Sequence, residues 1–283
     1  MPELPEVETV KETLKPLVIG KQITDIIINY DKILDGINPD DFKAKLIGEV
    51  FRDIHRLGKY LIFILDHYSL VVHLRMEGKF YYKEPELEID KHEHIIFVLD
   101  GKVHLRYHDT RKFGKMIVVD STDLEVVKKH KRLAKLGLDG VSEITPAYLK
   151  EMFSKRQRSL KALLLDQEII AGLGNIYVNE VCFLAGLHPS EVPSNLTDDD
   201  YENLARYIKD VLTRAILAGG TTIRSYTSSL GVTGRFQQEL YVHSRGGEPC
   251  LVCEQPIEKI RVSGRGTYIC NHCQKLRIAK DEH

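Results

Sequence analysis

The chain has 283 residues, of which 43% are hydrophobic and 29% charged, and its formal net charge is −1. This length is sufficient for two domains with a sizeable core, at about 100–200 residues per domain. A net charge near zero gives no support to nucleic-acid binding, which usually goes with an excess of basic residues. An odd number of cysteines argues against a secreted protein built on a disulfide framework.

No segment approaches the ~20 apolar residues that span a bilayer, and Met1 is not followed by a basic and then apolar signal sequence. The sequence therefore predicts a soluble, cytoplasmic protein without a membrane partner. Its charge is unevenly distributed, because basic residues dominate 101–135 and 235–280 whereas acidic residues concentrate in 84–93 and 198–200. A basic face attracts phosphate within the roughly 8–10 Å over which salt leaves charges unscreened.

The first six residues read MPELPE and place an acid directly after a proline. If Met1 is removed, Pro2 becomes a secondary amine, which titrates at about 7.7–8.0 and is a usable nucleophile. Its condensation with an aldehyde-like carbon gives an iminium ion, which keeps its positive charge and acts as an electron sink. Glu3 is close enough to move the protons that such a reaction requires. Taken alone, these residues are better explained as an ordinary start followed by a helix, whose first turn favours proline.

Apolar residues recur at helical spacing between residues 7 and 17, which predicts one amphipathic helix that ends near Gly20. Short runs rich in Ile, Val, Tyr and Phe follow, with turn signals such as Asp100-Gly101 between them. These runs predict an antiparallel β-domain in the form of a sandwich. The predicted strands are residues 23–30, 60–65, 70–76, 94–99, 103–107 and 116–119.

Three motifs lie at the ends of predicted strands in this β-half: GKY at 58–60, LRMEG at 74–78 and DTRKFG at 109–114. An exposed methionine, arginine and phenylalanine on neighbouring strand ends could fill a gap in a base stack, which is how proteins wedge open a duplex. For any one motif alone, an apolar side chain in the core with an arginine outside is the better explanation.

Beyond about residue 120 the apolar spacing becomes helical, so that the whole chain is predicted to have an α+β fold. Thr145 and Thr197 are suitable N-caps, and Gly219-Gly220 ends the last helix. The predicted helices are residues 124–135, 146–153, 160–166, 176–185 and 198–218.

Two glycine-rich stretches interrupt this helical half. GLGNIY at 172–177 runs into a helix, where backbone amides and an asparagine side chain could bind phosphate, although a close-packed helix turn is the alternative. Residues 219–236 are rich in glycine and serine, and we interpret them as a lid loop in preference to a plain linker.

The cysteines give the strongest local signal. Two CxxC pairs are separated by sixteen residues, which matches the spacing of a four-thiolate zinc site. Four sulfur ligands leave no position for a substrate, so we predict one structural zinc ion that folds a hairpin lacking its own core. An arginine flanked by glycines lies between the pairs and suits phosphate contact, with a solvated turn arginine as an equal alternative. The predicted ligands are Cys250, Cys253, Cys270 and Cys273.

In combination, these motifs resemble the formamidopyrimidine-DNA glycosylases, bacterial enzymes that remove oxidised purines from DNA. The resemblance depends on their order along the chain, which is PELPE, GKY, LRMEG, DTRKFG, GLGNIY and a final GRGT within a four-cysteine finger. The resemblance extends from Pro2 to Lys275 and outweighs the structural explanations of the separate motifs. It implies a glycosylase and abasic-site lyase acting on damaged double-stranded DNA in base excision repair. It also implies a monomer with no catalytic metal or organic cofactor.

The resemblance implies a catalytic role for five residues. Pro2 is expected to be the nucleophile that forms a Schiff base, and Glu3 the proton donor that opens the sugar. Lys59 and Arg265 are expected to act at the phosphates and in the elimination steps. Glu6 is expected to support the N-terminus.

Five further residues are implied DNA contacts. Met76, Arg111 and Phe113 would occupy the hole left by the everted nucleotide. His92 matches a DNA contact of the family, and Asn175 matches the anchor of a helix-two-turns-helix motif.

The implied domain order has four parts. They are a catalytic β-sandwich at 1–130, a helix-two-turns-helix domain at 131–225, a lesion-lid loop and connector at 226–245, and the zinc finger at 246–283. The chain departs slightly from the family pattern, which commonly has a proline where this finger has Asn271. No function is predicted for the tail at 276–283.

Two alternatives stay open at this point. An endonuclease VIII-like glycosylase acting on oxidised pyrimidines resembles this chain at both ends, but Leu4, Met76 and Phe113 favour the purine enzyme. A zinc-finger protein that binds damaged DNA without cutting it would result if Met1 were retained, because Pro2 would then be blocked.

Overall fold

The computed structural model describes residues 1–221 and 234–277. The chain divides into two compact units, the first formed by Met1–Lys135 with Ala218–Arg235 and the second by Leu136–Leu217 with Phe236–His283. Most of the predicted lid loop and of the C-terminal tail therefore lies outside the described residues, and the predicted four-part domain order stays a prediction.

The first unit contains two four-stranded antiparallel sheets. One has the strand order β1-β6-β7-β5 and the other β2-β3-β4-β8. In chain order the strands are β1 (Ile23–Ile28), β2 (Asp53–Leu57), β3 (Tyr60–Ile64), β4 (Ser69–His73), β5 (Lys79–Lys83), β6 (Glu93–Leu99), β7 (Val103–His108) and β8 (Lys115–Val119).

Buried aromatic rings join the two sheets into one core, which confirms the predicted sandwich. The ring of Phe63 on β3 lies 5.6 Å from that of Phe80 on β5, in the opposite sheet. Phe80 in turn lies 5.3 Å from Tyr107 on β7. Aromatic rings bury the largest apolar areas of a core, and their tilted contacts with one another stabilise it further.

The helices of this unit agree with the prediction only in part. Helix α1 (Leu4–Val18) buries an apolar stripe as predicted, and α3 (Leu124–Lys128) is shorter than predicted. The basic run KKHKR begins at Lys128, the last residue of α3, and its like charges disfavour another helical turn. Helix α2 (Pro39–Leu46), with Asn38 as its N-cap, was not predicted.

The second unit is mainly helical, as predicted. Its helices are α4 (Pro146–Phe153), α5 (Leu160–Leu164), α6 (Asn175–Leu184) and α7 (Asp198–Leu217). A two-residue parallel pair joins β9 (Leu138–Asp139) to β10 (Ile170–Ala171), and an antiparallel hairpin joins β11 (Glu258–Val262) to β12 (Arg265–Ile269). Among the described residues, no helix has both the length and the apolar character needed to cross a membrane.

Candidate active site and nucleic-acid interface

The N-terminus is held by a buried carboxylate. Pro2 and Glu3 are buried immediately before α1. The Glu3 N–H donates to Glu6 Oε2 over 2.8 Å, while Glu6 Oε1 accepts bonds from the Thr221 N–H and hydroxyl over 2.8 and 3.0 Å. Glu6 therefore fixes the backbone next to Pro2 and ties it to Thr221.

Glycine is required where Thr221 approaches this carboxylate. Gly220 has φ +77°, and a Cβ added there would lie 2.8 Å from Glu6 Oε1. A Cβ at Gly234 would lie 2.3 Å from the Gly220 carbonyl oxygen. A side chain at Gly220 would displace the Glu6 carboxylate, whereas one at Gly234 would separate two backbone segments that are joined by the Arg235 N–H and the Ala218 carbonyl.

Lys59 lies in the two-residue turn between β2 and β3. Gly58, the first turn residue, has φ +55°, as a type II′ hairpin turn requires. Arg56 connects this turn to α1, since its guanidinium donates to Gly58 O over 3.2 Å and to Glu8 Oε2 over 2.6 Å. Lys59 itself is buried.

A neutral histidine supports the turn that carries Met76. Burial, together with the charges of Arg75 and Lys59, lowers the pKa of His73 to about 3. Because the ring is neutral, its Nδ1 accepts the Arg75 N–H over 2.9 Å and fixes a residue with φ +57°. The next residue, Met76, is half-buried.

Asp109 organises the turn that carries Arg111 and Phe113. Its fully buried carboxylate accepts bonds from three backbone N–H groups, those of Arg111, Phe113 and Gly114, over 2.8–3.0 Å. Phe113 is 50% exposed, and the Arg111 guanidinium lies 4.8 Å from its ring centre. A rigid turn thus presents an aromatic ring and a cation to the outside.

Tyr107 brings the Met76 turn and the Phe113 turn together. A Cβ added at Gly78 would lie 2.3 Å from the Tyr107 hydroxyl oxygen, and one added at Gly114 would lie 1.7 Å from it. Both glycines are therefore required by close packing against one buried phenol. Met76, Arg111 and Phe113 are thereby carried by two turns that share a support.

We expect Gly114→Ala to be destabilising because its methyl group would overlap the Tyr107 side chain, at a cost of about 1–3 kcal/mol. Thermal unfolding should show a lower Tm together with weaker binding to a duplex that carries an abasic-site analogue. The double variant Gly114→Ala/Tyr107→Phe removes the overlapping oxygen and should recover part of both losses. No recovery would show that Tyr107 does not connect the turns.

His92 lies beside the Phe113 turn. Its carbonyl accepts the Asp109 N–H over 3.0 Å, and its own N–H donates to Asp90 Oδ1 over 2.8 Å. The ring centre is 5.7 Å from that of His108, and Nδ1 is buried without a hydrogen-bond partner among the described residues. The structure therefore brings His92 together with Arg111 and Phe113.

In the second unit, Asn175 and Arg265 are neighbours. Asn175 begins α6, and its Nδ2 donates to Gly266 O over 3.1 Å. Arg265 is exposed and begins β12 after the turn Ser263-Gly264, whose φ angles of +49° and +76° match a type I′ turn. The start of α6 thus contacts the backbone next to Arg265, and both a helix N-terminus and an exposed guanidinium are suited to binding phosphate.

Lys161 supports this pair and was missed in the sequence. It is fully buried, and its Nζ donates to Asn179 Oδ1 over 2.8 Å and to Thr267 Oγ1 over 2.7 Å. One amine thus joins α5, α6 and the hairpin. The only local signal was a lysine among the apolar residues of a short helix.

Glu180 fixes the chain that leads to the finger, and it was also missed. Its carboxylate accepts the N–H groups of Tyr241, Val242 and His243 over 2.7–3.1 Å. Burial raises the pKa of Glu180, although these three bonds act in the opposite direction. The fixed connector places the hairpin at a defined distance from α6.

The four predicted zinc ligands lie together. Their sulfur atoms are all within 4.8 Å of one another, with Cys253 Sγ 3.4 Å from Cys270 Sγ and Cys250 Sγ 3.9 Å from Cys273 Sγ. A tetrahedral site with Zn–S bonds of about 2.3 Å requires sulfur separations of about 3.8 Å. The cluster fits one structural zinc ion, and no other group in the described part of the chain has this arrangement.

The predicted site residues thus form two sets. Pro2, Glu3, Glu6, Lys59, Met76, His92, Arg111 and Phe113 belong to the first unit. The zinc ligands, Asn175 and Arg265 belong to the second. Their individual roles stay predictions.

Family models match most of the chain. A model of the formamidopyrimidine-DNA glycosylase N-terminal domain matches residues 1–116, and one of the formamidopyrimidine-DNA glycosylase H2TH domain matches residues 136–227. A model of the zinc finger found in FPG and IleRS matches residues 247–276.

Curated proteins and solved structures give the same result. The chain is 45% identical to the formamidopyrimidine-DNA glycosylase of Bacillus subtilis and 41% identical to that of Listeria innocua, with 97% of this chain and 99–100% of each relative covered. It is 38% identical to Lactococcus lactis Fpg in complex with DNA containing N7-benzyl-Fapy-dG, with a TM-score of 0.90 over 97% of this chain and all of that one. A complex of the same Lactococcus protein with abasic-site DNA gives 38% identity and a TM-score of 0.90, over 96% of this chain and 99% of that one.

Proposed function

The chain belongs to the formamidopyrimidine-DNA glycosylase family and is thus a DNA glycosylase of base excision repair, and we propose that it excises oxidised purines from duplex DNA and then cuts the strand as a lyase. The Lactococcus relative, whose structures contain Fapy-dG and abasic-site DNA, supports this choice of substrate. The observation that carries the proposal is the buried Pro2-Glu3 pair, held before α1 by Glu6.

In the first step, the Pro2 nitrogen attacks C1′ of the deoxyribose. The bond from C1′ to the base breaks, and the base leaves with its bonding electrons and takes up the proton that the Pro2 nitrogen loses. The nitrogen lone pair then forms a double bond to C1′ as the bond from C1′ to the ring oxygen breaks, and Glu3 donates a proton to that oxygen. Pro2 is a secondary amine only after Met1 has been removed. The product is an iminium ion that joins the protein to the sugar.

The iminium ion makes the C2′ proton acidic. Loss of that proton expels the 3′ phosphate by β-elimination, and a second elimination expels the 5′ phosphate. In our proposal Lys59 and Arg265 stabilise the charge on these phosphates, since ammonium and guanidinium groups are both suited to binding phosphate. The positive groups also predict that DNA binding weakens steeply with salt.

The base must leave the stack before this chemistry begins. We propose that the half-exposed Phe113, the Arg111 guanidinium above it and Met76 fill the gap, because the two turns that carry them are rigidly supported by Tyr107. Asn175 and His92 are proposed backbone contacts, which set the position of the duplex without reading its sequence. The single zinc ion would be structural, because four thiolates leave it no open position.

The proposal is tested by base release and covalent trapping. Processed protein should release 8-oxoguanine from a duplex faster than thymine glycol, and sodium borohydride should reduce the iminium ion to a stable adduct that maps to Pro2. Faster release of thymine glycol would instead indicate an endonuclease VIII-like enzyme. Binding without release or trapping would indicate a damaged-DNA-binding protein.

A further inference from the structure

A buried arginine supports the loop between β5 and β6, which we call the acidic loop (residues 84–92). Arg106 on β7 is fully buried. Its guanidinium donates to the Glu93 carboxylate over 2.9 Å and to four carbonyl oxygens of the loop, all within 3.5 Å: those of Glu84, Pro85, Leu87 and Glu88. One side chain thus binds four carbonyl groups of the loop.

The acidic loop buries few side chains of its own. The side chains of residues 86–91 are exposed, and the loop forms no helix or strand. An irregular segment of this kind remains ordered only if its backbone groups find fixed partners. The Arg106 guanidinium, which has five N–H donors in a rigid plane, provides such partners for the carbonyl groups of the loop.

The ion pair that completes this arrangement is costly to bury. Burial opposes ionisation of Glu93, but the charges of Lys83 and Arg106 outweigh it and lower the pKa of Glu93. Lys83 Nζ lies 2.5 Å from Glu93 Oε1. Since a buried ion pair adds little to stability compared with apolar residues of the same volume, its use here is to fix one conformation.

The end of the acidic loop carries His92. Asp90 N–H donates to Glu93 Oε2 over 3.2 Å, and Asp90 Oδ1 accepts the His92 N–H over 2.8 Å. On the other side, the His92 carbonyl accepts the N–H of Asp109, whose carboxylate fixes the Phe113 turn. A change in the acidic loop is therefore transmitted directly to His92.

We propose that Arg106 is a positioning residue for DNA binding, which fixes the acidic loop so that His92 is held against the duplex. This inference rests on the proposed function, because it takes His92 as a DNA contact. Arg106 itself is fully buried, so its side chain is not accessible to DNA. Its role would be exerted through Glu93, Asp90 and the loop backbone.

The test begins with Arg106→Lys, which keeps a charge for Glu93 but cannot reach four carbonyls with one ammonium group. A glutamate-specific protease should cut within residues 84–88 at least about tenfold faster, because the cleavage rate follows the population of the open loop. The Kd for a duplex with an abasic-site analogue should rise about five- to tenfold, while single-turnover base release at saturating protein changes less than about twofold. Arg52→Lys, which alters an exposed pair with Asp66, is the matched control and should change none of these.

A double-mutant cycle separates positioning from general destabilisation. If Arg106 acts through His92, adding Arg106→Lys to His92→Ala should raise the Kd by less than about twofold. Fully additive effects, or unchanged cleavage of the loop, would overturn the proposal. If Arg106→Lys does not fold, Glu93→Gln is tested in its place, since it keeps the acceptor and removes the charge.

The outcome also distinguishes this inference from the proposed function. A wild-type protein that neither releases base nor forms the trapped adduct would contradict the proposed function, whereas loop cleavage and the Kd cycle would still decide the role of Arg106. Normal base release with additive variants would contradict the positioning role alone.

Discussion

Replacing the proposed nucleophile in Pro2→Gly is expected to lower base release by about a hundredfold or more and to lower the yield of the borohydride-trapped adduct with it. Glycine also provides an amine, but its condensation product has a proton to lose from nitrogen, so the positive charge that drives elimination is not retained. Glycine also lacks the ring that fixes the direction of the nitrogen. Base release from an 8-oxoguanine duplex and gel analysis of the reduced adduct give the measurement.

The same variant should keep most of its affinity for a duplex with an abasic-site analogue, because Pro2 contributes little to the proposed phosphate contacts. Intact mass must first establish that Met1 is absent from both proteins. Glu3→Gln is a useful comparison, since it leaves the amine unchanged and removes only the proposed proton donor. Undiminished trapping in processed Pro2→Gly would move the nucleophile to Lys59 or to another amine.

The parts of the fold that could be predicted are those with a local signal. The four cysteines were found because ligand spacing in a finger is set by the metal, and Asp100-Gly101 marked a hairpin because both residues adopt positive φ. Strand β2, which reads DIHRL, was missed because polar side chains interrupt its apolar residues, and strand β5, which reads KFYYK, because a lysine stands at each end.

The residues that support the site could not be predicted in the same way. Lys161 bonds to Thr267, 106 residues away in the sequence, and Glu180 bonds to backbone groups more than 60 residues away. Nothing in a local pattern distinguishes a buried charged residue with distant partners from a solvated one on a helix surface. Arg106 is likewise a buried charged residue whose partners cannot be read from a local pattern, because its hydrogen bonds are made to carbonyl groups of the folded acidic loop.

These supporting residues explain how short connections can hold the proposed DNA contacts in fixed positions. Phe113, Met76 and Arg265 lie on connections with little core of their own, and each connection is fixed by a buried polar group or a close glycine contact. Rigid support of this kind lowers the entropy that binding must otherwise overcome.

Removing a zinc ligand in Cys270→Ser is expected to release the metal and to weaken DNA binding by at least about a hundredfold. Cys270 is fully buried in a small cluster with Phe183, Val242 and Ile257, too few apolar residues to hold the hairpin alone. The binding energy of a structural zinc ion is folding energy, so its loss unfolds the hairpin. Arg265 would then lose its position beside Asn175.

The control is Cys182→Ala, which removes a buried thiol outside the zinc cluster. It should keep one zinc ion per chain and nearly normal binding, with only the modest loss of stability typical of a small core change. Metal content by elemental analysis and the Kd for the abasic-site duplex are measured on both proteins, and on wild-type protein treated with a chelator. Full DNA binding by metal-free protein would contradict the structural role of zinc, because the position of Arg265 would then be independent of the thiolates.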